Sequence, residues 1–118
     1  MKRLVLALLA CAAALPGAHA GDDAGTQPFS VTIEPKGLHE ECLELQAGEK
    51  RNYNWRADGP VDFNIHYHAG SDVFYPVKRE RMRGDGGTFT AGKVTQHYCW
   101  MWSAHDKPVK VEGRIESK

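Results

Sequence analysis

The chain has 118 residues, of which 25% are charged, with 15 basic and 15 acidic side chains in balance. A chain of this length holds one domain with a single hydrophobic core. Because there is no basic excess, the composition gives no indication of nucleic acid or an anionic membrane surface as a partner.

The first 20 residues have the features of a secretory signal peptide. Lys2 and Arg3 form a positively charged start, residues 4–15 form an apolar run, and residues 18–20 (Ala-His-Ala) form a small-x-small cleavage site before Gly21. The apolar run is too short for a membrane span. We therefore expect export to the periplasm and a mature chain that begins at Gly21.

Cys11 leaves a second form of processing open. Residues 8–11 (Leu-Leu-Ala-Cys) resemble a bacterial lipobox, which would be cleaved before Cys11 and would carry a lipid anchor there. The bulky side chain of Leu9 and the short apolar run that would remain favour plain cleavage after residue 20.

Removal of the signal peptide changes the cysteine count. It leaves 98 of the 118 residues, with 13 basic and 15 acidic side chains and two cysteines, Cys42 and Cys99. Two cysteines of an exported protein most simply pair with each other. The chain-entropy relation assigns about 4 kcal/mol to closing a loop of this length. We expect one disulfide, Cys42–Cys99.

From Phe29 onward, hydrophobic and polar residues alternate with the period of two that is typical of β-strands. The alternation predicts about eight strands, near residues 29–33, 42–46, 52–56, 61–68, 73–77, 88–90, 96–102 and 109–115. The predicted turns between them are rich in glycine, aspartate and proline and include residues 47–48, 58–60, 69–72, 84–87 and 91–92. The pattern predicts an all-β fold, a small antiparallel β-sandwich over residues 29–118, after a flexible lead-in over residues 21–28.

Five segments of the chain resemble the GOLD domain of p24 (emp24) cargo proteins. They are residues 41–43 (Glu-Cys-Leu), 52–55 (Asn-Tyr-Asn-Trp), 59–65 (Gly-Pro-Val-Asp-Phe-Asn-Ile), 87–91 (Gly-Thr-Phe-Thr-Ala) and 96–100 (Gln-His-Tyr-Cys-Trp). The resemblance covers about residues 38–115 and implies a β-sandwich in which the first cysteine pairs with the second. The coiled coil and membrane tail of that family have no counterpart here, so the resemblance implies the fold and the disulfide and not a role in membrane traffic.

A cluster of metal-binding residue types accompanies the predicted strands. His66 and His68 are two residues apart on one strand, so both imidazoles lie on the same face. His97 and Met101 likewise share a strand face with Cys99. Imidazole with thioether is a donor set that favours copper, above all the cuprous ion.

The predicted disulfide extends this cluster. His39 lies three residues before Cys42, so we expect the Cys42–Cys99 bond to draw His39 toward His97 and Met101. The hypothesis is therefore a copper site formed by His39, His66, His68, His97 and Met101. The alternative is that the histidines are ordinary surface residues and Met101 belongs to the core.

The sequence also bears on two other functional classes, cupins and enzymes with known local motifs. Gly59, His66, His68 and Asp72 resemble the first motif of a cupin, but Asp72 replaces the usual glutamate and a second motif is not visible. The chain carries no nucleophile elbow, phosphate-binding glycine loop or zinc-protease helix motif. We therefore expect a non-enzymatic protein that binds a metal ion or, as the alternative, an envelope protein.

Overall fold

The computed structural model describes residues 27–117, which form six antiparallel strands and no helix. The strands are β1 (Gln27–Ile33), β2 (Leu38–Leu45), β3 (Lys50–Ala69), β4 (Asp72–Thr90), β5 (Gln96–Ala104) and β6 (Val109–Ser117). The predicted all-β class is thus confirmed. Within residues 27–117 no helix is long and apolar enough to cross a membrane.

The predicted signal peptide, the lipobox cysteine and most of the predicted lead-in lie outside the described residues. The lead-in prediction extends two residues too far, because β1 begins at Gln27 and includes Pro28. Pro28 opposes Arg114 at the start of the β1–β6 ladder.

β3 is the centre of the sheet, whose order is β1-β6-β3-β5-β2 with β4 also paired to β3. Residues 51–57 of β3 pair with β6, and residues 61–66 pair with β5. β4 runs antiparallel to β3 along both halves. One long hairpin, β3–β4, therefore belongs to both halves of the sheet.

Six strands replace the predicted eight because two predicted turns lie inside strands. Residues 58–60 (Asp-Gly-Pro) fall within β3, at the irregularity between Arg56 and Val61 where the strand leaves β6 for β5. Residues 84–87 (Gly-Asp-Gly-Gly) fall within β4, opposite residues 53–56 of β3. Glycines suit such irregular strands because they carry no side chain and tolerate close approach of a neighbouring backbone.

The hydrophobic core lies between the two halves of the curled sheet. Trp100 and Trp102 of β5 are fully buried, and their rings lie 6.1 Å from Tyr53 and 6.2 Å from Trp55 respectively, both in the other half of the sheet. These edge-to-face contacts join the halves, and buried aromatic side chains of this size contribute much of a small domain's hydrophobic stabilisation.

The predicted disulfide is present. Cys42 of β2 and Cys99 of β5 are direct cross-strand partners, with their Cα atoms 4.1 Å apart and their sulfurs bonded. Within the described chain β2 pairs with β5 alone, so the covalent bond fixes an edge strand to its neighbour.

Candidate functional site

The outward side of β5 carries the residues singled out by the sequence. Strand alternation buries Tyr98, Trp100 and Trp102 and leaves His97, Cys99 and Met101 on the opposite side. Met101 is half-buried there, so it is not a core methionine.

The strand registers align two further strands with this side of β5. Cys99 has Cys42 of β2 on one side and His66 of β3 on the other, and Met101 lies in the same way between Glu40 and Asn64. We call this surface the histidine face. It is formed by Glu40, Cys42, Asn64, His66, His68, His97, Cys99 and Met101.

His66 is the buried member of the histidine face, with 5% of its surface exposed. Its Nδ1 lies 2.7 Å from the side-chain oxygen of Asn64. The amide oxygen of Asn64 can only accept a hydrogen bond. Nδ1 of His66 therefore carries the ring proton and is the donor of this hydrogen bond. The lone pair is therefore on Nε2, which lies 3.9 Å from a carboxylate oxygen of Glu40.

The surroundings of His66 favour its neutral form. Burial is the largest cause and lowers the pKa of His66 below its ordinary value; nearby Glu40 opposes this shift, and His68 adds to it. A neutral imidazole is the form that binds a metal ion.

Two rings enclose His66 on the side of β3 and β4. The ring of His68 stands edge-on at 5.3 Å, and the ring of Tyr75 in β4 lies 5.8 Å away. His68 and Tyr75 are themselves exposed, so this part of the histidine face opens to solvent.

His97 lies on the same face, two residues from Cys99 toward the start of β5. Its side chain is 73% exposed, and its Nε2 lies 3.4 Å from a carboxylate oxygen of Glu44. The structure thus brings His66, His68, His97 and Met101 to one face, because β3 is the neighbour of β5.

His39 does not join them. It lies on the core side of β2, with its ring 5.9 Å from Phe29 and 6.1 Å from Trp102, and its Nε2 is 3.0 Å from a carboxylate oxygen of Glu41. The prediction that the disulfide draws His39 toward His97 is wrong, because residues three apart on a strand point to opposite sides.

The donor atoms are not gathered tightly enough to form a closed site. Among histidine, cysteine and carboxylate donors of residues 27–117, one group of three has all its atoms within 4.8 Å: Glu40, Cys42 and Cys99. Both sulfurs of that group are in the disulfide. An ion held by the histidines would therefore require side-chain rotation on the open surface.

The residues of the suggested cupin motif are dispersed along the hairpin. Gly59 lies at the irregular part of β3, and Asp72 is exposed at the start of β4, opposite Ala69.

Sequence reasoning missed Asn64 and Glu40. Asn64 shares the parity of His66 on β3, and Glu40 shares the parity of Cys42 on β2, so alternation alone places each on the outward side. Their proximity to His66 depends on the order of the strands in the sheet, which the alternation does not reveal.

The comparisons with known proteins bear on the fold alone. A scan with protein-family models finds no match, and a search of curated protein sequences finds none either. The structure is similar to a mitogen derived from Yersinia pseudotuberculosis, with a TM-score of 0.56 and 9% identity over 79% of this chain and 86% of that one. It is also similar to a CBM4 structure, with a TM-score of 0.51 and 10% identity over 77% of this chain and 71% of that one.

Proposed function

We propose that the protein binds one soft or borderline metal ion, copper before zinc, on the histidine face. The observation that carries the proposal is His66, a buried and neutral imidazole whose Nδ1 is held by Asn64 while Nε2 is turned toward Glu40. Metal-binding histidines typically donate a hydrogen bond from the N–H of their second ring nitrogen to an oxygen in this way. The hydrogen bond fixes the tautomer and the orientation of the ring.

The donors around Nε2 suit copper in both oxidation states. Metal–nitrogen and metal–oxygen bonds in protein sites are about 2.0–2.2 Å long. Nε2 of His66 and the Glu40 oxygen, 3.9 Å apart, can therefore reach the same ion at a wide angle. Met101, the cross-strand partner of both Glu40 and Asn64, adds a thioether, which selects the cuprous ion. His68, whose ring lies 5.3 Å from that of His66, supplies a second imidazole, and His97 supplies a third on the same face.

The proposed role is carriage of the ion rather than catalysis. The histidine face opens to solvent at Glu40, His68 and His97, so an ion can enter and leave it directly. A disulfide is typical of oxidising compartments, which supports the expectation, drawn from residues 1–20, that the protein works in the periplasm.

Metal titration of the purified oxidised protein tests the proposal. We expect one copper ion per chain, bound more tightly than zinc. His66→Gln should lower the copper affinity by at least about tenfold, in the range that loss of supporting contacts already produces. His39→Gln is the matched control, since His39 lies on the other side of β2 and should leave the affinity unchanged.

Met101→Leu separates the ligand classes. It removes the thioether while nearly keeping the volume of the side chain, so cuprous affinity should fall more than zinc affinity. Absence of stoichiometric copper, or equal losses in the His66 and His39 variants, would contradict the proposal.

A second candidate function is that of a GOLD-like interaction module that binds an envelope protein. It is favoured by three consecutive exposed hydrophobic residues in β4, Val73, Phe74 and Tyr75, which are 38%, 45% and 47% exposed. Tyr75 lies against His66 on the outward side of the sheet, whereas Phe74 stacks on Tyr67 on the other side, and exposed apolar side chains at such a strand are typical of interaction sites. In-cell crosslinking from position 74 should then give one discrete adduct, independent of copper, whereas a ladder of weak adducts would argue against this candidate.

A further inference from the structure

We propose that reduction of Cys42–Cys99 creates a second kind of metal site on the histidine face, a dithiolate site completed by Glu40 and His66. The proposal rests on the proposed function in using the same two side chains, Glu40 and His66. It adds a ligand class, thiolate sulfur, and a redox control over which metals the face can hold.

The positions of the donor atoms carry this inference. Sγ of Cys42 lies 3.9 Å from one carboxylate oxygen of Glu40, while Nε2 of His66 lies 3.9 Å from the other. The donor atoms of Glu40, Cys42 and Cys99 all lie within 4.8 Å of one another. His66 is the direct cross-strand partner of Cys99. Two sulfurs and one carboxylate oxygen therefore surround one point above β5, and Nε2 of His66 lies just outside that group, next to the second oxygen of Glu40.

Two sulfurs, one oxygen and one nitrogen are a suitable donor set for an ion that prefers tetrahedral coordination. Metal–sulfur bonds are about 2.3 Å long in such sites, which requires the two sulfurs to be roughly 3.8 Å apart. Cys42 and Cys99 are opposite each other on neighbouring strands, so rotation of the two side chains provides that separation without movement of the backbone. Soft thiolates select zinc, cadmium and cuprous copper over hard cations.

The disulfide is accessible to a reductant. Cys42 is exposed and Cys99 half-buried, both on the outward side of the sheet. A dithiol transfers two electrons and two protons: its thiolate attacks one sulfur, the Cys42–Cys99 bond breaks, and the dithiol leaves as its own disulfide. Each of the two new thiols then loses its proton to solvent as its sulfur bonds the ion. A disulfide oxidant reverses the step: it accepts the two electrons, the Cys42–Cys99 bond forms again, the oxidant takes two protons from solvent and leaves as a dithiol, and the sulfurs release the ion.

Cobalt(II) provides the test because thiolate coordination gives it an intense near-ultraviolet charge-transfer band. The purified protein is reduced with a phosphine, freed of the phosphine without air, and titrated with cobalt. We expect one cobalt per chain with thiolate and tetrahedral bands in the reduced protein, and neither band in the oxidised protein.

Cobalt titration of variants identifies which side chains bind the ion. Cys99→Ser should lose most of the charge-transfer band, whereas His66→Gln should keep it but weaken cobalt binding by about tenfold or more. His39→Gln should match the reduced wild type. The proposal is wrong if reduced protein binds no cobalt, or binds it equally well in concentrated urea.

Folding of the reduced protein is followed by circular dichroism. If reduction unfolds the chain, one equivalent of cobalt should restore the β-sheet spectrum, and failure to do so would overturn the proposal. Copper titration of the oxidised protein remains a separate measurement. Cobalt bands without copper binding would refute the proposed function alone, and copper binding without cobalt bands would refute this inference alone.

Discussion

Asn64 holds His66 by one ring nitrogen and leaves the other directed toward Glu40. The Nδ1–Oδ1 distance is 2.7 Å, and both residues are buried although they belong to the outward side of β3. The pair is two residues apart on one strand, so a rigid backbone segment sets its geometry. The tautomer of His66 is therefore set by Asn64, a residue of the same strand.

Removal of this hydrogen bond should weaken metal binding without removing a ligand. Asn64→Ala frees the ring and its tautomer, and we expect copper affinity to fall about 10- to 100-fold. Asn64→Asp retains an acceptor and should recover most of the affinity. Asn54→Ala, an exposed change in the other half of β3, is the control. Calorimetric titration of the variants provides the measurement, and equal affinities in the two alanine variants would contradict the assigned role of Asn64.

The metal-free protein should lose stability as the pH falls below the ordinary histidine value. Burial lowers the pKa of His66 in the folded state, so the unfolded chain binds a proton first. Stability from this source is complete above about pH 6.5, the unfolded value, and is lost as the pH falls toward the lower folded value. Urea unfolding at several pH values checks this, and His66→Gln should flatten the dependence over that interval. An unchanged slope in the variant would show that another group is responsible.

Loss of the disulfide should lower the free energy of unfolding by an amount that grows with the logarithm of the length of the loop it closes. Cys42 and Cys99 are separated by 57 positions, for which the chain-entropy relation gives about 4 kcal/mol. We expect the Cys42→Ser, Cys99→Ser double variant to unfold at markedly lower urea concentration than the oxidised protein. The reduced wild type should behave like the double variant in the absence of metal. A double variant as stable as the oxidised protein would show that the edge strand does not depend on the bond.

Gly113 should tolerate no side chain. A Cβ atom at this position would lie 2.5 Å from the backbone oxygen of Asn54 and 2.6 Å from Cβ of Trp55, where β6 pairs with β3. Gly113→Ala should therefore destabilise the fold by about 1–3 kcal/mol through overpacking.

Gly87→Ala in β4 is the control for that substitution, since its nearest new contact, the hydroxyl of Tyr53, is an ordinary 3.7 Å away. Thermal unfolding of the two variants gives the comparison. Equal melting temperatures would mean that β6 shifts to make room at Gly113.

The alternation of residue types predicted correctly which side chains of a strand face the core and which face outward, because successive residues of a strand point to opposite sides. It separated Tyr98, Trp100 and Trp102 from His97 and Met101, and the cysteine pair fixed the register of β2 against β5. The same parity argument, applied to His39, would have placed it on the opposite side from Cys42. That error came from treating nearness in sequence as nearness in space.

The strand count could not be predicted from local residue types. Residues 58–60 and 84–87 have the composition of turns, yet they lie in β3 and β4 because the long hairpin bends there to serve both halves of the sheet. That bend is set by pairing with β5 and β6, which are distant in sequence. For the same reason the positions of Asn64 and Glu40 beside His66 emerge only from the strand order.

The pairing of β1 with β6 has a consequence for how the chain acquires its structure. Gln27 lies opposite Ile115, so the first described strand is completed by the last one. The β3–β4 hairpin joins neighbouring segments and can form early, whereas the β1–β6 ladder closes a loop of almost the whole domain, a slow step in folding. As a chain emerges N-terminus first, β1 therefore lacks its strand partner until β6 has been made. During that interval its unpaired edge is open to aggregation.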